Sequence, residues 1–414
     1  MKYLFRYEKG SDLSLNNLRN GEFFFASSSE LNDPAEGKPH HLFKGNTDLW
    51  QKFFDYLVTE ALIELRLNNI LFRNMYDGIF KKLDFNKLIP RLQYKNKPLT
   101  LSELESAVKE IFEELLTPYI QDLNYSNFLS ILPKIFNEKV RLILDSDKKY
   151  LVSFSKTCIS PTMWGQYANA YKGYCLIFKT KNSKIKIKSL SEQFLTSNKD
   201  EVDPRKEMIT LDISDEEKIK GEDVIYRKRP PKFNAFRAMI PYFHYTEMED
   251  HYDVPLNIIG ESPLYEEQKI GIIKYSNWSY EKEIRFFYPL SIDSRKHIFT
   301  EIAKERRFLK YHPENFHGVV LGPDISRDLT MRIIESIRAM LLSSTNLFNF
   351  PLDRENRIKV YQAYSTSDDY IIKLKPYGLI YRADKKIYFQ KEQNFSVNDR
   401  KMMEDEIAEH LSKI

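Results

Sequence analysis

Only two cysteines, Cys158 and Cys175, occur in 414 residues. That is too few for a disulfide framework or a cysteine zinc cluster. Both sit in apolar surroundings and read as small core residues in a reducing compartment. Long hydrophobic runs are missing too: no stretch approaches eighteen uncharged apolar residues, so no membrane-spanning helix is expected. The apolar run in the opening M-K-Y-L-F-R-Y-E-K is too short for a signal peptide, which makes a cytoplasmic protein with no membrane partner the expectation. An excess of one charge is also lacking. The 63 basic and 59 acidic side chains leave a formal net charge of +4, which neither requires nor excludes nucleic acid. No internal repeat is visible. Aromatic residues, by contrast, are plentiful, with 28 Phe and 26 Tyr, as expected of a globular chain long enough for two to three domains.

The pattern along the chain predicts an α+β fold, with a bent, mixed or antiparallel core of short strands and an inserted helical subdomain. Tyr3 to Tyr7 alternates as a strand with Tyr3, Phe5 and Tyr7 on one face. Arg6 then sits inside an apolar element, where a charge needs a partner or a ligand. Leucines at 13, 15 and 18 predict a helix stopped by Asn20-Gly21, and Phe23 to Phe25 a second strand running into the polar loop Leu31-Asn32-Asp33-Pro34. Residues 1–45 thus open the core, and 46–148 form the helical insertion, with a capping box at Ser102 and Glu105. Residues 149–375 complete the core, carrying a polar surface insertion near 179–222. Helices are expected at Ala235 to Tyr245, Leu264 to Tyr275 and Asp328 to Leu342. Residues 376–414 read as a charged tail, peripheral or oligomerising.

Three polar groups fall on strands or strand ends: Arg6, the Ser153/Ser155 pair in V-S-F-S, and Glu281 with Glu283 in W-S-Y-E-K-E-I-R. If the last stretch is extended, Glu281, Glu283 and Arg285 share one face. The plain alternative is an edge strand with a solvated charged face. A site that holds a dinucleotide and breaks its glycosidic bond needs a cation for pyrophosphate, hydroxyls and aromatics to seat base and ribose, and a carboxylate for an oxocarbenium-like centre. Arg6 would supply the first, Ser153 or Ser155 with Trp164 and Tyr167 the second, and Glu283 the third. Glu281 would orient or deprotonate an acceptor, either protein or nucleic acid. Asn32, Asp33, Lys274 and Arg285 complete the ligand-facing set. The competing chemistry is a magnesium-dependent nuclease built on Asp33, Glu36, Glu281 and Glu283. The His40-His41 pair reads as a solvated loop. A nucleotide sensor without turnover is the third reading.

The runs L-F-R-Y, F-F-A-S-S-S-E-L-N-D-P-A-E, M-W-G-Q-Y-A, Y-K-G-Y-C-L-I-F, K-Y-S-N-W-S-Y-E-K-E-I-R and V-V-L-G-P together resemble the bacterial DUF2971 family, whose name implies no activity. A second resemblance is to the Arg-Ser-Glu arrangement of ADP-ribosyltransferases. It implies NAD as substrate, with Arg6 on its phosphates, Ser153 or Ser155 by the nicotinamide ribose, Glu283 as catalytic glutamate and no metal. It also suggests a toxin or phage-defence setting. The serine motif departs from that family's pattern, reading Ser-Phe-Ser rather than Ser-Thr-Ser.

Overall fold

The computed structural model describes residues 2–33, 40–54, 99–116, 134, 137–138, 140–141, 150–188, 217–230, 232–236, 271–289, 302–348, 357–366, 369–383 and 386–412. The chain divides into two compact units: 1–36, 149–228 and 274–414 form the first, and 37–148 with 229–273 the second.

The first unit is built on one sheet of ten strands. These are β1 (Tyr3–Glu8), β2 (Ala26–Ser27), β3 (Tyr150–Ser155), β4 (Tyr174–Lys179), β5 (Glu222–Asp223), β6 (Glu283–Phe287), β7 (Phe316–Leu321), β8 (Ile358–Thr366), β9 (Asp369–Ala383) and β10 (Lys386–Lys391). Their order is β5-β6-β3-β1-β4-β7-β8-β9-β10, with β2 paired to β3. β7 and β8 run parallel and the other pairs antiparallel. Besides the helical residues 47–54, the described α-helices include α1 (Asp12–Asn20), α2 (Leu101–Leu116), α3 (Pro161–Tyr167), α4 (Arg327–Phe348) and α5 (Val397–Glu406). The fold is therefore α+β, as the pattern predicts. No described helix is long and apolar enough to cross a membrane.

Strand alternation divides the core between the two faces of this sheet. Leu4, Phe154, Leu176 and Val319 join a cluster with Leu15 and Leu18 of α1 and with Ile333, Ile337 and Met340 of α4. Tyr3, Phe5, Cys175 and Val320 join the other, with Trp164, Met403 and Leu411. Helix α1 ends as expected at Gly21, whose φ of 66° lies in the left-handed region where glycine is unstrained. Cys158 and Cys175 are buried and free.

Several readings need correction. The supposed tail is structural: 376–383 continues β9, β10 follows it, and α5 docks through Glu406. That carboxylate receives a hydrogen bond from Tyr3 and others of 2.6 Å from Lys359 Nζ and Tyr361 Oη, and His317 Nε2 lies 2.9 Å away. The polar insertion contributes core as well, since Lys184–Lys188 is a strand with Ile185 and Ile187 fully buried. Residues 229–273 belong to the second unit because Lys232–Asn234 pairs in parallel with His40–Phe43 and Phe236 packs among Phe43, Trp50 and Phe53. His40 and His41 are accordingly strand residues. The capping box at α2 is Thr100 with Glu103: Thr100 N–H donates to Glu103 Oε2 at 2.8 Å and Glu103 N–H to Thr100 Oγ1 at 3.2 Å. Of the two helices expected between 235 and 275, residues 237–270 lie outside the described set, and Ile273–Tyr275 is a strand.

Candidate functional site

Strands β1, β3 and β6 lie side by side, so Arg6, Ser153 and Glu283 arrive on neighbouring elements. All three line one cavity of about 240 Å³, together with Glu30, Asn32, Ser155, Tyr167, Lys274 and Glu281. The three polar groups singled out in the sequence are thereby gathered in one hollow.

The two glutamates are not a solvated edge. β5 pairs outside β6, and Glu281 and Glu283 are 3% and 5% exposed. Nor do they alternate on one strand. Ser276–Glu281 is a 3₁₀ helix, Lys282 turns left-handed at φ 45°, and β6 begins at Glu283. A non-glycine residue there costs about 1–2 kcal/mol. Backbone bonds hold it in place, Lys282 N–H to Ser279 O at 3.2 Å and Lys156 N–H to Lys282 O at 3.0 Å. The kink aims both carboxylates at one cation, because Lys274 Nζ stands 2.6 Å from Glu281 Oε2 and 3.2 Å from Glu283 Oε2.

Further contacts fix each acid. Arg285 donates to both oxygens of Glu283, and Ser153 hydrogen-bonds the same carboxylate. The Glu283 N–H donates to Tyr226 Oη at 2.8 Å. Glu281 Oε1 accepts from Tyr167 Oη at 2.5 Å, and the Glu281 carbonyl accepts from Ser155 Oγ at 2.7 Å. Ser155 is thus committed to holding the 3₁₀ turn, which leaves Ser153 as the hydroxyl beside the acid.

Burial raises the Glu283 pKa to about 7, against the opposing pull of the Lys274 ammonium and the Ser153 hydrogen bond. Burial also lowers Arg285 to about 9, while the nearby Asp33 carboxylate favours its charge. For Lys274 burial opposes the charge, yet the Glu283 and Glu281 carboxylates hold its pKa above the ordinary value. Tyr167 is raised by burial and by its bond to Glu281. The cluster therefore holds one carboxyl poised near neutrality, flanked by two cations.

The remaining expected residues divide. Arg6 lines the cavity with its side chain 22% exposed, and its Nε donates to Glu8 at 2.6 Å. Asn32 lies on the wall beside Tyr167. Trp164 is not on the wall: it is fully buried, and its Nε1–H is satisfied by the Cys158 carbonyl at 2.8 Å. Asp33 sits near Arg285 rather than on the wall. Glu36 lies outside the described residues. Sequence reasoning passed over Tyr226 and Glu30, a wall residue paired at 2.6 Å with the buried Arg307. The signal for the pair was the Ser27-to-Glu30 spacing, which forms a capping box. No group of three or more His, Cys, Asp or Glu among the described residues is placed to hold a metal ion. Between Glu281 and Glu283 the place of a cation is taken by Lys274 itself.

Residues 163–286 match the family model described as "Protein of unknown function (DUF2971)". The resemblance to DUF2971 therefore holds over that span, which carries Tyr167, Lys274, Glu281, Glu283 and Arg285 but neither Arg6 nor Ser153. No curated protein and no solved structure matches the chain.

Proposed function

We propose that the cavity binds the nicotinamide riboside part of NAD⁺ and that the protein is an ADP-ribosyltransferase-like enzyme or NAD glycohydrolase, in a toxin or defence setting. The observation that carries this reading is the meeting of Arg6, Ser153 and Glu283 on adjacent strands around one hollow. At about 240 Å³ the space is below the roughly 300–1,000 Å³ usual for a drug-sized ligand, so it suits one half of a dinucleotide. The pyrophosphate would extend over the rim, where Arg6 is accessible. Ionised Glu283 would stabilise positive charge developing at the ribose C1′ as the C1′–N bond breaks and its electron pair leaves with nicotinamide. Water or an acceptor hydroxyl then forms the new C1′–O bond. Glu281, hydrogen-bonded to Tyr167, would receive that nucleophile's proton.

Purified protein incubated with NAD⁺ is expected to release nicotinamide, and Glu283→Gln to abolish release. Absence of release by the wild type, across protein and nucleic-acid acceptors, would count decisively against the reading. The nuclease alternative calls for chelator-sensitive cutting of DNA or RNA. It sits poorly with an ammonium wedged between the two acids it would use. A nucleotide sensor would instead show ligand-dependent thermal stabilisation with no product.

A further inference from the structure

A second sheet of the first unit runs in the order Glu22–Phe24, Phe308–Tyr311, Lys184–Lys188, Glu217–Lys220. Phe23, Leu309, Tyr311, Ile185, Ile187 and Ile219 are buried in the core. Alternation sends Phe24, Phe308, Lys310, Lys184, Lys186, Lys218 and Lys220 to the opposite face. There, Lys184 stands directly opposite Lys220, and Lys186 directly opposite Lys218. Like charges facing each other across a ladder are destabilising, so folding gives no reason for these pairs. Lys186 meets Glu314 at 2.8 Å, and Glu22 lies across from Lys310. Lys184, Lys218 and Lys220 are exposed and have no carboxylate partner among the described residues.

The other end of the same face is aromatic. Phe24 is paired with Phe308, their ring centroids 4.9 Å apart and both half-buried, and Lys304 Nζ lies 5.6 Å from the Phe24 ring. Phe24 also lines the cavity.

We propose that this face is a docking track for single-stranded nucleic acid, with the lysines along the phosphates and the Phe24/Phe308 pair as a stacking platform. Surfaces for single strands combine a cationic path with aromatic rings on which bases lie. Side chains on one face of a strand repeat about every 6.6 Å, which spaces cations regularly along a polyanion. Among the described residues this sheet carries no helix or ribbon to enter a duplex groove, and the rings would gain nothing from a duplex whose bases are already stacked. This inference rests on the sheet alone and needs neither NAD⁺ nor Glu283.

Fluorescence anisotropy with short, labelled, mixed-sequence RNA and DNA single strands, and the matching duplex, tests it on the full chain. Single strands are expected to bind more tightly than duplex, with log K falling linearly as log salt rises. The triple variant Lys184→Gln, Lys218→Gln, Lys220→Gln is expected to flatten that slope by about 2, from roughly 0.7 per lost phosphate contact. It should melt no lower than wild type, because it removes facing like charges. Phe308→Ala is expected to weaken binding about tenfold with the slope kept. Glu283→Gln should bind as wild type does, which separates this proposal from the NAD⁺ reading. No binding at low salt, a preference for duplex, or an unchanged slope in the triple variant overturns it.

Discussion

Arg285 grips Glu283 from two places further along the same strand, its Nε 2.8 Å from Oε1 and its Nη2 2.9 Å from Oε2. With the arginine 1% exposed and the glutamate 5%, neither charge has water to fall back on. Removing one partner leaves the other buried and uncompensated. Arg285→Ala is expected to lower stability by about 3–5 kcal/mol, measured by chemical denaturation. Arg285→Lys should recover part of the loss but not the two-point geometry.

Glu283 has a pH signature. Its pKa of about 7 lies above the ordinary 4.5, so the folded protein keeps a proton that the unfolded chain gives up. Its contribution to stability is whole below about pH 4.5 and is lost as pH rises through 7. Glu283→Gln should flatten this slope in denaturation curves taken across that interval. If ionised Glu283 is the working form, nicotinamide release should rise with an apparent pKa near 7.

Lys274→Met probes the cation shared by the two glutamates. Without the ammonium, burial and the neighbouring carboxylate act on Glu283 unopposed from that side. The acid limb of the rate profile should then move upward by about one pH unit or more. An unmoved limb would mean that Lys274 is not what holds Glu283 near neutrality.

At the far side of the sheet, Glu406 is expected to act in the opposite pH sense. Burial opposes its charge, but His317, Lys359 and Tyr3 hold its pKa well below the carboxylate range. Its stabilisation is therefore present above the ordinary carboxylate pKa and is lost as pH falls further. Glu406→Gln should destabilise the fold by about 2–4 kcal/mol at neutral pH and reduce its acid sensitivity, as read from thermal melts at graded pH.

What could be read beforehand was the local part. Alternation marked the strands at Tyr3 to Tyr7 and Tyr150 to Ser155, and the spacing of Leu329, Ile333, Ile337 and Met340 marked α4. The Glu-x-Glu pair was visible, although its geometry was not, because a left-handed Lys282 has no sequence signature comparable to Gly21. Trp164 misled because an aromatic ring close to Tyr167 suggests a seat for a base, while it packs in the core with its N–H satisfied by a backbone carbonyl. Glu406 escaped notice because its partners, Tyr3, His317, Lys359 and Tyr361, are scattered along the chain. Charged residues at 376–414 looked solvated, yet one of them is the anchor that fastens α5.

Tyr3 and Glu406, 403 positions apart, touch each other, and Arg6 lies on the same strand as Tyr3. A nascent chain leaving the ribosome therefore holds an unfinished hollow through most of its synthesis, since its walls come from positions 5 to 283 and the clasp on β1 arrives later still.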